Sequence, residues 1–123
     1  LYTNLNGDLI ASNTIDFAGK SINYKKLGEM NFADQVWFKK TLAGNFLKDE
    51  KINFNGSVWE DLHVDPIVSE VYDQDRWGTS FSAQVKNAEG KLIGVLTARA
   101  GARWLESEFQ RAVDIGLMKG YTS

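Results

Sequence analysis

At 123 residues the chain is long enough for one domain that buries most of its apolar surface, and 43% hydrophobic with 24% charged residues is ordinary globular composition. A formal charge of −2 supplies no basic field for a phosphate backbone, which excludes nucleic acid from the expected partners. With 0 cysteines there are no disulfides, no c-type haem attachment and no cysteine-ligated zinc or iron-sulfur centre. No apolar run approaches the roughly 18 residues that would mark a membrane span.

In chain order, Leu1 to Leu5 and Leu9 to Ala11 flank Asn6-Gly7-Asp8. An Asn-Gly pair between apolar runs is a hairpin signal, so two antiparallel strands are expected. From Asn13 to Leu27 the periodicity fades, and Gly19 and Gly28 punctuate a loop with room for one helical turn. In "NFADQVWFKKTLAG", Phe32, Val36, Trp37 and Leu42 share one helical face. Asn31 is placed to cap the start, Lys39 and Lys40 suit the last turn, and Gly44 stops it. Trp37 and Phe38 read as core residues that cover a sheet.

Ile52 and Phe54 hint at a strand between Ile52 and Trp59. Asp65-Pro66 then has the form of an N-cap followed by proline at the first helical position. "PIVSEVY" therefore reads as a short helix, with a β-branched strand as the alternative. In "GTSFSAQV", Phe81, Ala83 and Val85 alternate with Ser80, Ser82 and Gln84, the period of a two-faced strand. "KNAEGK" is a turn, and "LIGVLTARA" returns with Ile93, Val95 and Thr97 on one face. Gly94, on the other, marks a close approach by a neighbour or ligand. Trp104, Leu105, Glu108, Phe109, Ala112 and Val113 form a terminal helical stripe. The order predicts an α+β domain with a five-stranded antiparallel sheet, helices packed on one side and a C-terminal helix.

Signals for catalysis are sparse. The single histidine, His63, excludes a multi-histidine metal site, and no Gly-rich phosphate loop or GxSxG occurs. Asp61, His63 and Asp65 alternate onto one face if extended, but a solvated polar edge is the plainer reading. Asp73 and Asp75 in "DQDRWG" depart from a calcium loop because Arg76 brings in a cation and the downstream glutamate is missing. Arg76 beside Trp77 reads as a turn whose guanidinium is solvated or paired with Asp73 or Asp75, and Arg99 and Arg103 read as surface charges. Together, these aromatic and polar groups suit a concavity for a small molecule. No enzyme activity, no metal and no cofactor is expected.

"LYTNLNGDLIAS", then "ADQVWFKKTLAG", then "SEVYDQDRWGTSFSAQVKNAEGKLIGVLTARA" resembles, over nearly the whole chain, the Cache family of PAS-like extracytoplasmic sensor domains. Its most specific pieces are Trp37-Phe38 followed by Ala43-Gly44, Phe81 to Val85, and Gly90 to Leu96. The resemblance implies a PAS-like sheet with ligand held between its concave face and the preceding loop-helix segment. It implies a single sensor domain, residues 1–123, cut from a longer receptor and lacking an N-terminal helix, with membrane segments outside the fragment and a homodimer in the full receptor. The expected setting is the periplasmic part of a bacterial chemotaxis receptor; the alternatives are a histidine kinase or diguanylate cyclase sensor, or a structural dimerisation module.

The amino-acid-binding branch of that family carries an arginine two residues before its tryptophan and an aspartate in the last strand. The tryptophan matches Trp37 and a tyrosine matches Tyr72, but Gln35 and Leu96 stand where the two charged clamps would be. An amino-acid ligand is therefore not expected. The expected ligand is a small neutral or anionic metabolite such as an organic acid. The expected binding residues are Trp37, Tyr72, Asp73, Arg76, Ser80, Ser82, Thr97 and Arg99, with an arginine as the anion's partner.

Overall fold

The computed structural model describes residues 1–46, 48–49, 51, 54–72 and 76–118. In chain order the elements are β1 (Tyr2–Thr3), β2 (Leu9–Ala11), α1 (Tyr24–Gly28), α2 (Val36–Leu42), β3 (Lys48–Asp49), β4 (Phe54–Asn55), β5 (Val58–Val64), α3 (Pro66–Tyr72), β6 (Trp77–Lys86), β7 (Leu92–Gly101) and α4 (Ala102–Met118). Five strands form one antiparallel sheet in the order β2-β1-β7-β6-β5, and β3 pairs with β4 in a separate two-stranded ladder.

The β1–β2 hairpin turns where Asn6-Gly7 predicts it. Gly7 sits at φ 84°, and the Asn4 side chain accepts from the backbone N–H groups of Asn6 and Asp8 at 2.9 and 3.0 Å. A side chain at Gly7 would also put its Cβ 2.5 Å from the Ala33 nitrogen. β6 and β7 join through a turn in which Asn87 Oδ1 accepts from the N–H groups of Glu89 and Lys91, each at 3.0 Å. β1 then inserts beside β7, placing the two ends of the sequence pattern at the centre of one sheet. Gly94 is the contact point: a Cβ there would lie 2.2 Å from the Thr3 carbonyl oxygen. The close approach expected at Gly94 is therefore made by strand β1.

The helix predicted from Asn31 begins instead at Val36, with Gln35 as its extended N-cap. Asn31 is spent elsewhere. Its amide nitrogen donates to the Asn6 carbonyl and to Asp8 Oδ1 at 2.9 and 2.8 Å, and the Phe32 N–H goes to the Gly7 carbonyl. The late start rotates the apolar stripe: Val36 is exposed, and Trp37, Phe38 and Thr41 face inward. The edge strand expected between Ile52 and Trp59 overlaps that stretch only at Val58 and Trp59 and runs on over Val58–Val64, with strand β4 of the β3–β4 ladder occupying Phe54–Asn55. "PIVSEVY" is a helix. Asp65 Oδ1 accepts from the N–H groups of Ile67 and Val68 at 2.9 and 3.0 Å, the bonds an N-cap makes, and Pro66 takes the first helical position.

One face of the sheet is covered by the helical segments. The apolar core there comprises Leu27, Phe32, Trp37, Phe38, Val58, Ile67 and Val95. Among the described residues, no helix is long and apolar enough to cross a membrane.

Candidate functional site

The alternation in β6 and β7 sends polar residues toward the helices. Ser80, Ser82 and Thr97 are all at most 2% exposed, whereas their neighbours Phe81 and Leu96 are half exposed on the opposite face. Register aligns Glu60, Ser80 and Arg99 in one row across β5, β6 and β7, and Val58, Ser82 and Thr97 in the next. Within the first row Ser80 Oγ donates to Glu60 Oε1 at 2.6 Å. Within the second the Ser82 and Thr97 hydroxyls pair at 2.8 Å.

Arg99 is the centre of the arrangement. The sequence reads it alone as a surface charge; in the fold its side chain is 4% exposed because period two along β7 turns it to the covered face beside Thr97. Its Nη1 donates to Glu60 Oε1 at 3.0 Å and to Asp65 Oδ2 at 2.6 Å. The Trp37 ring lies over the guanidinium, 4.6 Å from its centroid to the carbon. Trp37 itself is fixed by Phe32 and by an edge-on Phe38, with centroids 5.7 and 5.9 Å away. Gln84 ties this helix to the sheet by donating to the Thr41 carbonyl at 2.9 Å.

An irregularity in β5 between Glu60 and His63 shifts the face on which residues emerge. The cluster that results is Glu60, His63 and Asp65, whose ligand-type atoms lie within 4.8 Å of one another. Asp61, placed with His63 and Asp65 by simple alternation, is exposed and accepts from the adjacent Leu62 N–H. The three clustered donors have the chemistry of a cation site, but Arg99 Nη1 already takes that place between the two carboxylates. His63 Nε2 lies 3.0 Å from Asp65 Oδ2 and completes the network. A surface cleft of about 340 Å³ runs between α2 and β5, bordered by Val36, Trp37, Lys40, Glu60 and His63 among others. It therefore touches two of the groups in direct contact with Arg99.

The structure brings together five of the eight residues expected at the site: Trp37, Ser80, Ser82, Thr97 and Arg99. Tyr72 and Arg76 make their own cluster. The Tyr72 hydroxyl donates to Asp16 Oδ2 at 2.8 Å, and the Arg76 guanidinium stacks 4.5 Å from the Tyr72 ring centroid. The tyrosine's hydrogen bond, helped by the Lys20 N–H, holds the Asp16 carboxyl below its usual range; burial first and Asp16 second raise the Tyr72 phenol above its own. Asp73 lies outside the described residues, with Gln74 and Asp75. Trp77 is half exposed.

Glu60 and Asp65 are not among the residues expected at this wall. For Glu60 a signal existed, since alternation from the buried Val58 carries position 60 to the same face. For Asp65 the cap motif accounted for one carboxylate oxygen and gave no reason to look for a use of the other. No protein-family model matches this chain, nor does any curated protein or any solved structure.

Proposed function

We propose that this chain is a ligand-sensing domain, of the kind its resemblance to the Cache family implies, and that it binds a small neutral or anionic metabolite without chemical turnover. The observation that carries the proposal is the inner wall of the sheet: Ser80, Ser82 and Thr97 are buried and Arg99 is buried under Trp37, where a domain needing only a core would place apolar side chains. Burying such groups is costly unless they are hydrogen-bonded; the serines and Thr97 are, whereas Arg99 keeps Nε and Nη2 unpaired. The wall lies between the sheet and the loop-helix segment ahead of it, the place the resemblance assigns to ligand. Arg99 stands two residues before Gly101, where β7 ends and α4 begins. A ligand that shifts the Arg99 network therefore biases α4, and through it the parts of a bacterial transmembrane receptor that follow, a chemotaxis receptor before a histidine kinase or cyclase.

Thermal-shift screening of organic acids, amines, purines and sugars tests the proposal. A ligand at 100 times its dissociation constant stabilises the fold by about 2.7 kcal/mol. No stabilisation by any class would remove direct sensing.

A second reading, a dimerisation module without ligand, is favoured by one observation. α4 exposes Leu105, Phe109, Val113 and Ile115, with Phe109 at 72%. Light scattering across a concentration series separates the two: self-association abolished by Phe109→Ser, with no metabolite hit, would support the second.

A further inference from the structure

Arg99 spends one nitrogen on two carboxylates and leaves the other two unused. Nη1 meets both Glu60 and Asp65, while Nε and Nη2 are buried and have no hydrogen-bond partner. These two atoms carry parallel N–H bonds along one side of the guanidinium, the fork that grips a pair of neighbouring acceptors. A buried charged donor left without an acceptor is unfavourable, so a fork unpaired where no other buried side-chain nitrogen or oxygen among the described residues lacks a partner marks a place for a partner that comes from outside.

The surroundings restrict what that partner is. Trp37 covers a face of the guanidinium at 4.6 Å, which leaves approach in the plane of the fork. Charge restricts it further. Arg99 contributes one positive charge against the two negative charges of Glu60 and Asp65, with His63 Nε2 also 3.0 Å from Asp65 Oδ2 and the Leu1 amino group within electrostatic reach. A carboxylate ligand would add a third negative charge to that count inside a poorly solvated wall. A neutral acceptor pair satisfies the same two donors and adds none.

Resting on the sensing reading, we infer that the ligand of the Arg99 fork is an uncharged planar molecule that presents a carbonyl oxygen beside an accepting ring nitrogen. The oxygen and nitrogen on the major-groove edge of guanine are the established example of such an acceptor pair read by arginine. The cleft between α2 and β5 is bordered by Trp37 and Glu60, two of the groups that hold Arg99, and is the nearest opening to the network, although Arg99 itself does not line it.

Calorimetry with hypoxanthine and cytosine, which carry the acceptor pair, is compared with adenine, which puts an amino donor beside its ring nitrogen, and with acetate and formate. The expected result is binding of at least one acceptor-pair probe at least tenfold tighter than adenine and than either carboxylate. Arg99→Lys keeps the charge without the fork and is expected to erase that preference. Should Arg99→Lys not fold, the Arg99 Nε–H resonance of the wild-type protein decides: it shifts on adding hypoxanthine or cytosine and not adenine. Tighter binding of acetate or formate overturns the inference and leaves ligand sensing standing. Equal binding of adenine also overturns it, and failure of every class in the metabolite screen removes both.

Discussion

Asp65 does two jobs with its two oxygens, and a pair of substitutions separates them. Oδ1 caps α3, and Oδ2 receives Arg99 Nη1 at 2.6 Å in a residue with 0% exposure. Asp65→Asn retains an oxygen for the cap but replaces the carboxylate facing Arg99 with an amide that has to turn its NH₂ group toward the guanidinium. Removing one partner of a buried ion pair costs about 3–5 kcal/mol because the other charge is left uncompensated. Glu60 still holds Nη1 at 3.0 Å, so the expected loss lies at the lower end, about 3 kcal/mol. Asp65→Ala loses the cap as well and is expected to cost about 1 kcal/mol more. Urea unfolding followed by circular dichroism reads both; at a slope of about 1.5 kcal/mol/M the Asp65→Asn midpoint falls by about 2 M. Combining Asp65→Asn with Arg99→Met should recover at least half of the loss, since a buried pair exchanged for neutral groups is often close to neutral. A loss below about 1 kcal/mol for Asp65→Asn would refute the reasoning, because it would mean that Arg99 is solvated or satisfied without Asp65.

The hydroxyl row gives a second test: Ser82→Ala leaves the buried Thr97 hydroxyl with only its 3.4 Å bond to the Phe81 carbonyl and is expected to cost about 1 kcal/mol, while Ser82→Ala with Thr97→Val removes both partners and recovers most of it in the same unfolding assay. Gly94→Ala places a methyl 2.2 Å from the Thr3 oxygen, so β1 should detach from β7, seen as lost amide-exchange protection in β1 and β2 with protection kept in β6. Tyr72→Phe tests the Asp16 pair through pH. The depressed Asp16 carboxyl contributes stability above the usual carboxylate range that disappears as pH falls through its lowered value; the raised Tyr72 phenol contributes below roughly pH 10 and is lost above it. The stability difference between wild type and Tyr72→Phe is therefore expected to be flat near neutrality and to shrink at both extremes.

What the sequence discloses and what it hides divide along the range of the interactions. The two faces of β6 and β7 follow from period two, and the α3 start follows from Asp65-Pro66, because both are settled by neighbours in the chain. Asn31 misleads because its side chain is claimed by Asn6 and Asp8 across 25 and 23 positions, so a good local cap is used in a long-range contact. Asp61 misleads because the β5 irregularity puts Glu60 where alternation would put Asp61. Arg99 carries no local sign of burial at all. Its environment is assembled by residues 34 and 39 positions away, and no window of sequence contains them together.

The sheet is inverted relative to what stability alone would choose. Trp59, Phe81 and Leu96 stand about half exposed on the outer face, while serine, threonine and arginine share the covered one with Val58 and Val95. A one-residue slip in register would exchange the faces and bury the aromatic set. The structure holds the less favourable register with pairings that act only there: Ser80 with Glu60, Ser82 with Thr97, and Arg99 with two acids. Each pair compensates burial without making the wall apolar, as the proposed binding role would require. The same register sets Arg99 two residues ahead of the point where β7 passes into α4, so the residues that satisfy the wall are also those nearest the helix that leaves it. In the proposed sensing role one strand would tie recognition at the wall to α4, and a substitution that frees Arg99 from Asp65 should change the amide exchange of the first turn of α4 as well as that of β7. A change confined to β7 would separate the site from the helix and leave the wall without an output.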